Sequence, residues 1–255
     1  MKSLTKQVKR VEFVVVIPTY NEAENVKALL CQLATVIGDH PWLSAHIIIV
    51  DDSSPDGTGR IAKQTARELR GSTFSVSVLS RPAKDGLGRA YLHGFTYVLD
   101  RIPHAKYVIE MDADLSHNPK YIPEFVERAE SQHLDLVIGS RYIRGGGTPG
   151  WSRDRRLLSR GANLYARLVL GKGISDYTSG YNLYATSIMR QIPLDEMHSD
   201  GYSFQIELKY RVALITSRTA ELPIIFKDRS LGVSKIPKDT ARKTFILVPY
   251  LRFSL

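Results

Sequence analysis

The chain has 255 residues, 43% of them hydrophobic, and a single cysteine. That length suits one α/β domain whose core is large enough to fold without a disulfide or a structural metal, and one cysteine excludes an internal disulfide. The net charge of +9 suits a nucleic acid, an anionic membrane or a phosphorylated substrate, and equally a plain solvated basic surface. Cys31, within Leu29-Leu30-Cys31-Gln32-Leu33, reads as a small buried residue, which fits a reducing compartment. No Asn-x-Ser/Thr sequon occurs, in keeping with cytosolic exposure. Met1 to Arg10 is polar and basic, the apolar run Phe13 to Ile17 is too short for a signal core, and nothing approaches the ~18 consecutive apolar residues of a spanning helix.

In chain order, Phe13-Val14-Val15-Val16-Ile17 reads as a buried strand. Asn21 to Ile37 reads as a helix with Val26, Leu29, Leu30, Leu33 and Ile37 on one face. His46 to Val50 is a second buried strand, Asp56 to Leu69 a helix opened by turn residues, Phe74 to Leu79 a strand and Gly88 to Leu99 a helix. Tyr107 to Met111 is a strand, Pro119 to Glu130 a helix and Leu134 to Ile138 a strand. Continuous apolar strands alternating with helices predict a mostly parallel sheet covered on both faces. The ligand crevice of such a sheet lies beyond the carboxyl ends of its strands. After residue 140 the chain becomes rich in Gly and Arg: Gly145-Gly146-Gly147, then Arg153, Arg155, Arg156 and Arg160. Leu157 to Leu170 and Tyr202 to Ile215 read as helices, and Glu221 to Lys227 as a late strand.

Three predicted strands run into polar clusters at one edge. These are Pro18-Thr19-Tyr20-Asn21-Glu22, Asp51-Asp52-Ser53-Ser54-Pro55-Asp56-Gly57-Thr58 and Asp112-Ala113-Asp114. Each alone could be turn and cap chemistry; together they gather carboxylates at one crevice. Two aspartates one residue apart repel unless a cation lies between them. Oxygen ligands select a hard ion, Mg²⁺ or Mn²⁺, which would also hold phosphate oxygens. Arg141 follows one predicted strand, and Arg229 and Lys235 follow the last. They could clamp the charge on a departing diphosphate or be solvated surface.

These segments, with Met111-Asp112-Ala113-Asp114-Leu115-Ser116-His117, Gly139-Ser140-Arg141-Tyr142, Arg81-Pro82, Gly86-Leu87-Gly88 and Thr178-Ser179-Gly180-Tyr181, resemble the dolichol-phosphate mannose synthases over residues 11–235. The resemblance implies a GT-A fold, α/β with a mostly parallel central sheet and helices on both faces. It implies inverting transfer of mannose from GDP-mannose to dolichyl phosphate, at the cytosolic face of the endoplasmic reticulum. It puts Pro18, Tyr20, Glu22, Val50 and Asp52 in the nucleotide pocket. Asp112 and Asp114 would hold the metal and diphosphate with Ala113 beside them, and Ser116 stands where the family often carries a metal-contacting polar residue. Arg141, Arg229 and Lys235 would meet the diphosphate or the acceptor phosphate and, with Asp114, form the catalytic set.

A lipid phosphate is already anionic at neutral pH, so its attack needs no dedicated base, only positive charge that brings two phosphates into line. Without spanning helices the chain resembles the type tethered by small membrane subunits. Arg153 to Arg167, with Trp151, Leu157, Leu158, Leu164 and Leu168, could lie on an anionic membrane as a peripheral contact or be an ordinary surface helix. Residues 1–10 read as a basic tail. Residues 236–255 depart from the family pattern, with an apolar stretch from Thr244 to Leu255. A dolichyl-phosphate glucosyltransferase or another polyprenyl-phosphate sugar transferase would show nearly the same motifs. A polysaccharide synthase would carry Gln-x-x-Arg-Trp, which is absent. A nucleic-acid module would carry aromatic RNA motifs or a helix-turn-helix, and neither is present. A catalytically dead subunit would not need the intact aspartate pair.

Overall fold

A computed structural model gives the fold and describes residues 10–199, 201, 203–227 and 240–255. Seven strands form one sheet: β1 (Val11–Thr19), β2 (Leu43–Asp51), β3 (Phe74–Ser80), β4 (Tyr107–Glu110), β5 (Leu136–Ser140), β6 (Asn182–Ala185) and β7 (Thr219–Pro223). Their order is β3-β2-β1-β4-β6-β5-β7. β1 pairs in parallel with β2 and β4, β2 with β3, and β5 with β7. β6 runs antiparallel between β4 and β5. The expected mostly parallel sheet is present. The antiparallel member has no sequence forecast, because Asn182-Leu183-Tyr184-Ala185 is too short to carry a pattern.

Eight helices lie among the described residues: α1 (Ala23–Gly38), α2 (Thr58–Glu68), α3 (Leu87–Arg101), α4 (Ile122–Gln132), α5 (Arg153–Leu170), α6 (Thr186–Met189), α7 (Phe204–Ile215) and α8 (Thr240–Ser254). α1 buries the forecast stripe of Val26, Leu29, Leu30, Leu33 and Ile37. Cys31 is half-buried rather than buried, because Leu30 and Leu33 take the core-facing positions beside it. Pro119–Tyr121 is a separate 3₁₀ turn capped by Asn118, whose side chain accepts from the Lys120 N–H. α4 begins after it, so the single helix forecast from Pro119 is broken. The late strand ends at Pro223 rather than Lys227, with one further bridge from Ile225 to Gly147.

The core strands are apolar on both faces: Val14 to Ile17 and Ile47 to Val50 are at most 1% exposed. Close packing shows at Gly94 on α3, where an added Cβ would stand 2.4 Å from Val16 Cγ1. α7 is buried nearly all round, and its polar residues face partners inside the protein. The apolar segment after residue 240 is helical. Val248 and Leu251 of α8 are buried, and Tyr165 on α5 stacks on Phe245 at 5.0 Å while its OH donates to the Phe245 carbonyl at 2.9 Å.

α5 and α8 leave large apolar side chains in the open. Leu157, Leu158, Leu164, Leu168, Phe245, Ile246 and Phe253 are all exposed. Among the described residues no helix is long and apolar enough to cross a membrane.

Candidate active site

β2, β1 and β4 are neighbours in the sheet and run parallel, so their carboxyl ends bring the three polar clusters side by side. Each cluster contains a non-glycine residue in the left-handed region: Asn21 (φ 54°), Ser53 (φ 52°) and Leu115 (φ 64°). Backbone there is costly for L-residues and tends to gather at functional loops. The turn at Leu115 folds Ser116 back, so that its N–H and Oγ–H both donate to Asp114 Oδ1, at 3.1 and 2.5 Å.

Turn chemistry accounts for part of the second cluster. Asp51 accepts from Thr19 Oγ1 at 3.1 Å and Ser54 Oγ at 2.6 Å. Asp56 accepts from the Ala23 N–H and Thr58 Oγ1. These two carboxylates staple the β1 and β2 loops together. Asp52 differs: it is buried and takes two bonds from Arg81 Nη1, at 2.9 and 3.2 Å. Burial raises its pKa, although Arg81 pulls the other way. Tyr20 is half-buried beneath Lys84, whose Nζ lies 4.4 Å from the ring centre. The Glu22 N–H is held by Thr58 Oγ1 at 2.9 Å. Pro18 is half-buried, and Val50 is fully buried between β1 and β3 and presents no surface to a ligand.

After β4 the chain delivers Asp112 with its side chain 28% exposed, while Ala113 and Asp114 are buried. Asp112 accepts from the Tyr91 hydroxyl at 3.2 Å. Its backbone N–H donates to His117 Nδ1 at 3.0 Å. His117 is buried, stacked on Tyr181 at 4.9 Å and edge-on to Phe226 at 5.4 Å, and burial pushes its pKa down to about 4.

The described residues contain no cluster of three or more His, Cys, Asp or Glu able to hold an ion. Two carboxylates still fit Mg²⁺ or Mn²⁺, since Mg²⁺ sites typically use one or two carboxylates and complete their shell with waters and substrate phosphates. Ser116 faces Asp114 and orients it.

Arg141 is buried at the end of β5 and paired with Asp176, and its Nη2 also donates to Thr178 Oγ1 at 2.7 Å. Burial alone would lower the Arg141 pKa, but Asp176 reverses that and raises it. Asp176, Lys209 and Glu110 are functional candidates that no sequence motif singles out. Lys209 on α7 is fully buried and donates to the Ser179 carbonyl. Glu110 is fully buried on β4 and accepts from Asn182 Nδ2 at 2.7 Å and the Tyr184 hydroxyl at 3.0 Å. Burial raises the Glu110 pKa and lowers that of Lys209. A glutamate inside the apolar run Tyr107 to Met111 was the available signal. Arg229 and Lys235 lie outside the described residues.

Asp112, His117, Arg141 and Thr178 open into a cavity of about 1070 Å³. Its other walls come from Trp151, from Leu157, Leu158 and Tyr165 of α5, and from Phe245 of α8. The site is therefore charged and polar at its inner end and mostly apolar toward the two exposed helices, where Asp154 and Arg155 of α5 are the charged lining.

The family model for glycosyl transferase family 2 matches residues 14–192. The chain is 41% identical over 221 residues to an undecaprenyl-phosphate mannosyltransferase of Micrococcus luteus, covering 87% of this chain and 86% of that one. It is 40% identical over 234 residues to a polyprenol monophosphomannose synthase of Mycolicibacterium smegmatis, covering 92% and 84%. In fold it is similar to glucosyl-3-phosphoglycerate synthase from Mycobacterium tuberculosis, solved with Mn²⁺, uridine diphosphate and phosphoglyceric acid. That match has TM-score 0.68 at 18% identity and covers 96% of this chain and 79% of that one. Mannosyl-3-phosphoglycerate synthase from Rubrobacter xylanophilus matches with TM-score 0.64 at 18% identity, covering 93% and 72%. The expected α/β fold is thus found on both counts, and the chain belongs to glycosyl transferase family 2.

Proposed function

We propose that the protein transfers mannose from GDP-mannose to a polyprenyl phosphate, dolichyl phosphate in the form expected from the sequence, with inversion at the sugar carbon. One observation carries this reading: a single cavity joins Asp112 and Arg141 to apolar walls from α5 and α8. A phosphorylated lipid needs both ends of such a cavity, and two relatives at 40% identity or above are named for mannose and polyprenol or its phosphate.

In this reading Tyr20, Glu22, Asp52 and the backbone around Pro18 receive the nucleotide. Asp112 and Asp114 hold Mg²⁺ or Mn²⁺ against the diphosphate, with Ser116 fixing Asp114. A bound divalent ion supplies positive charge that stabilises the leaving diphosphate. Arg141, fixed by Asp176 and Thr178, faces the acceptor phosphate, and Arg229 and Lys235 are assigned to the same anions. The acceptor oxygen is already ionised, so no side chain need take a proton from it. Aligning two anionic groups for in-line attack is the protein's main task.

Both named relatives are from bacteria, so the membrane is described by its lipid and not by an organelle. The α5 and α8 face would rest on it as a peripheral contact, beside any small anchoring subunit. Incubation with labelled GDP-mannose or UDP-glucose, dolichyl or undecaprenyl phosphate, and Mg²⁺ or Mn²⁺ tests the proposal. Lipid-linked mannose from GDP-mannose is expected. A glucosyl lipid made only from UDP-glucose reassigns the donor, and no lipid product from any pair overturns the reading.

A further inference from the structure

Among the described residues His117 finds a partner for only one of its two nitrogens. Nδ1 accepts the Asp112 backbone N–H at 3.0 Å, so that nitrogen carries no proton and the ring proton sits on Nε2. Among the described residues Nε2 has no protein partner. Among the described residues the sealed side-chain polar atoms without a hydrogen-bond partner are Asn25 Oδ1, Glu110 Oε1, Trp151 Nε1, Asn182 Oδ1 and Glu130 Oε1, the last of which pairs with Lys106 Nζ. His117 Nε2 is not one of them, although the residue as a whole is only 2% exposed. The ring lines the cavity, so Nε2–H opens there. Stacking on Tyr181 and the edge of Phe226 fix the ring plane, which aims the donor.

The neighbourhood suits an anion. Arg141 lines the same cavity, with Nε and Nη2 turned to Asp176 and Thr178 and no protein partner for Nη1 among the described residues. Gly180 lies close beside both the ring and the aspartate: a Cβ there would meet Gln205 Nε2 at 3.3 Å, His117 Cε1 at 3.6 Å and Asp112 Oδ2 at 3.7 Å. Arg141 and His117 thus share the wall that a phosphate entering between the apolar walls would reach.

We infer that His117 is a bifunctional residue of this site: Nδ1 anchors the backbone of Asp112, and Nε2–H donates a hydrogen bond to a non-bridging oxygen of the acceptor phosphate. The inference rests on the proposed lipid-phosphate acceptor. It adds a neutral donor to the arginine charge, and it ties the aspartate that faces the donor diphosphate to the group that greets the acceptor.

Two substitutions separate the two nitrogens. Asparagine places an acceptor where Nδ1 stands and nothing where Nε2 stands; glutamine does the reverse. Both lose the ring and its stacking, so that loss cancels in the comparison. Affinity for farnesyl phosphate in detergent and for GDP-mannose with Mn²⁺ is measured by calorimetry, with kcat from product formation. His117→Asn should weaken farnesyl phosphate about tenfold or more, the scale of a hydrogen bond to a charged group, with GDP-mannose within about twofold. His117→Gln should hold farnesyl phosphate within about threefold but weaken GDP-mannose and lower kcat, because Asp112 loses its anchor. Equal effects of the two variants on farnesyl phosphate, or the opposite crossing, overturn the inference.

A measurement on the unaltered protein guards against misfolded variants. The ¹⁵N shifts of its histidine rings should report the Nε2–H form for His117, and farnesyl phosphate should move the Nε2 resonance more than Nδ1. An Nδ1–H ring, or no movement while farnesyl phosphate binds, overturns it. Wild-type protein that neither binds nor glycosylates a polyprenyl phosphate removes the acceptor reading itself, and the inference falls with it.

Discussion

Arg141 and Asp176 meet in a buried two-point pair, Nε to Oδ2 at 2.8 Å and Nη2 to Oδ1 at 2.7 Å. The Arg141 backbone N–H donates to the same Oδ2 at 3.0 Å. The pair fastens the end of β5 to the loop that leads into β6, and so places one guanidinium at the inner end of the cavity. The loop is held from its far side as well, where Glu221 on β7 accepts the N–H groups of Ser175 and Asp176 at 3.1 and 3.0 Å.

Removing one partner should cost more than the pair contributes, because it strands a buried charge. Asp176→Ala is expected to lose about 3–5 kcal/mol in urea unfolding. The pair also sets an acid limit. Burial alone would raise the Asp176 pKa, but Arg141's charge and hydrogen bonds bring it below the usual carboxylate value. Its contribution is then fully present above the unfolded value near about 3.9 and disappears as pH falls through the folded one. Stability should therefore fall less steeply below about pH 4 in Asp176→Asn than in the unaltered protein. Equal acid slopes would reject this role for Asp176.

Strand identity and sheet edge were legible because β1, β2 and β4 carry the continuous apolar runs Phe13 to Ile17, Ile47 to Val50 and Tyr107 to Ile109, which give way to polar residues at their carboxyl ends. Position relative to those ends led to Asp52, Asp112 and Asp114. Asp176 and Lys209 were not legible, since their roles depend on β6 threading antiparallel between β4 and β5, and four residues carry no period from which to read that. The burial of Lys209 was hidden for another reason. α7 is enclosed on nearly every side, so polar positions that would face solvent on a surface helix face the core here. Likewise, local spacing gives only part of what separates the stapling carboxylates Asp51 and Asp56 from Asp52: Ser54 and Thr58 lie on the same loop, but Thr19, Ala23 and Arg81 come from other segments.

Asp114 and Ser116 allow a graded test of the metal assignment. Asp114→Ala should lower kcat by about a hundredfold to a thousandfold, the scale of losing one preorganised charge-stabilising group, while circular dichroism and Tm stay close to the unaltered protein. Ser116→Ala keeps the carboxylate but removes the 2.5 Å bond that orients it, so a smaller fall is expected, with weaker Mn²⁺ dependence of activity. If Ser116→Ala proves as damaging as Asp114→Ala, Ser116 acts on the ion directly.

Arg81 and Asp52 test the nucleotide side. Both side chains are nearly buried, at 10% and 6% exposure, and Arg81 fixes the carboxylate at the end of β2. Arg81→Met should weaken GDP binding by about tenfold or more, since the orienting bond is to a charged group, and should raise the KM for the sugar donor with little change in that for the lipid. A rise confined to the lipid KM would move Asp52 out of the nucleotide pocket.

The α5 and α8 face yields the last prediction. Its exposed Leu164, Leu168, Ile246 and Phe253 are interspersed with exposed Arg153, Arg156, Arg160, Arg167, Arg242, Lys243 and Arg252. Asp154 is the one acidic residue in the two helices. Apolar tips among cations suit a bilayer carrying anionic lipid. Leu168 and Phe253 are the most exposed, at 77% and 86%, and neither lines the cavity. Inserting a leucine-sized side chain is worth about 1.5–3 kcal/mol, so the double variant Leu168→Asp/Phe253→Asp should lose at least about tenfold in partitioning to phosphatidylserine-containing vesicles. Its turnover of a short, water-soluble polyprenyl phosphate should stay near that of the unaltered protein, because the proposed reaction centre is at the other end of the cavity. Binding by the unaltered protein should weaken as salt screens the arginines and be weaker on phosphatidylcholine alone. Vesicle binding unchanged by both substitutions would mean that the membrane is met by another surface.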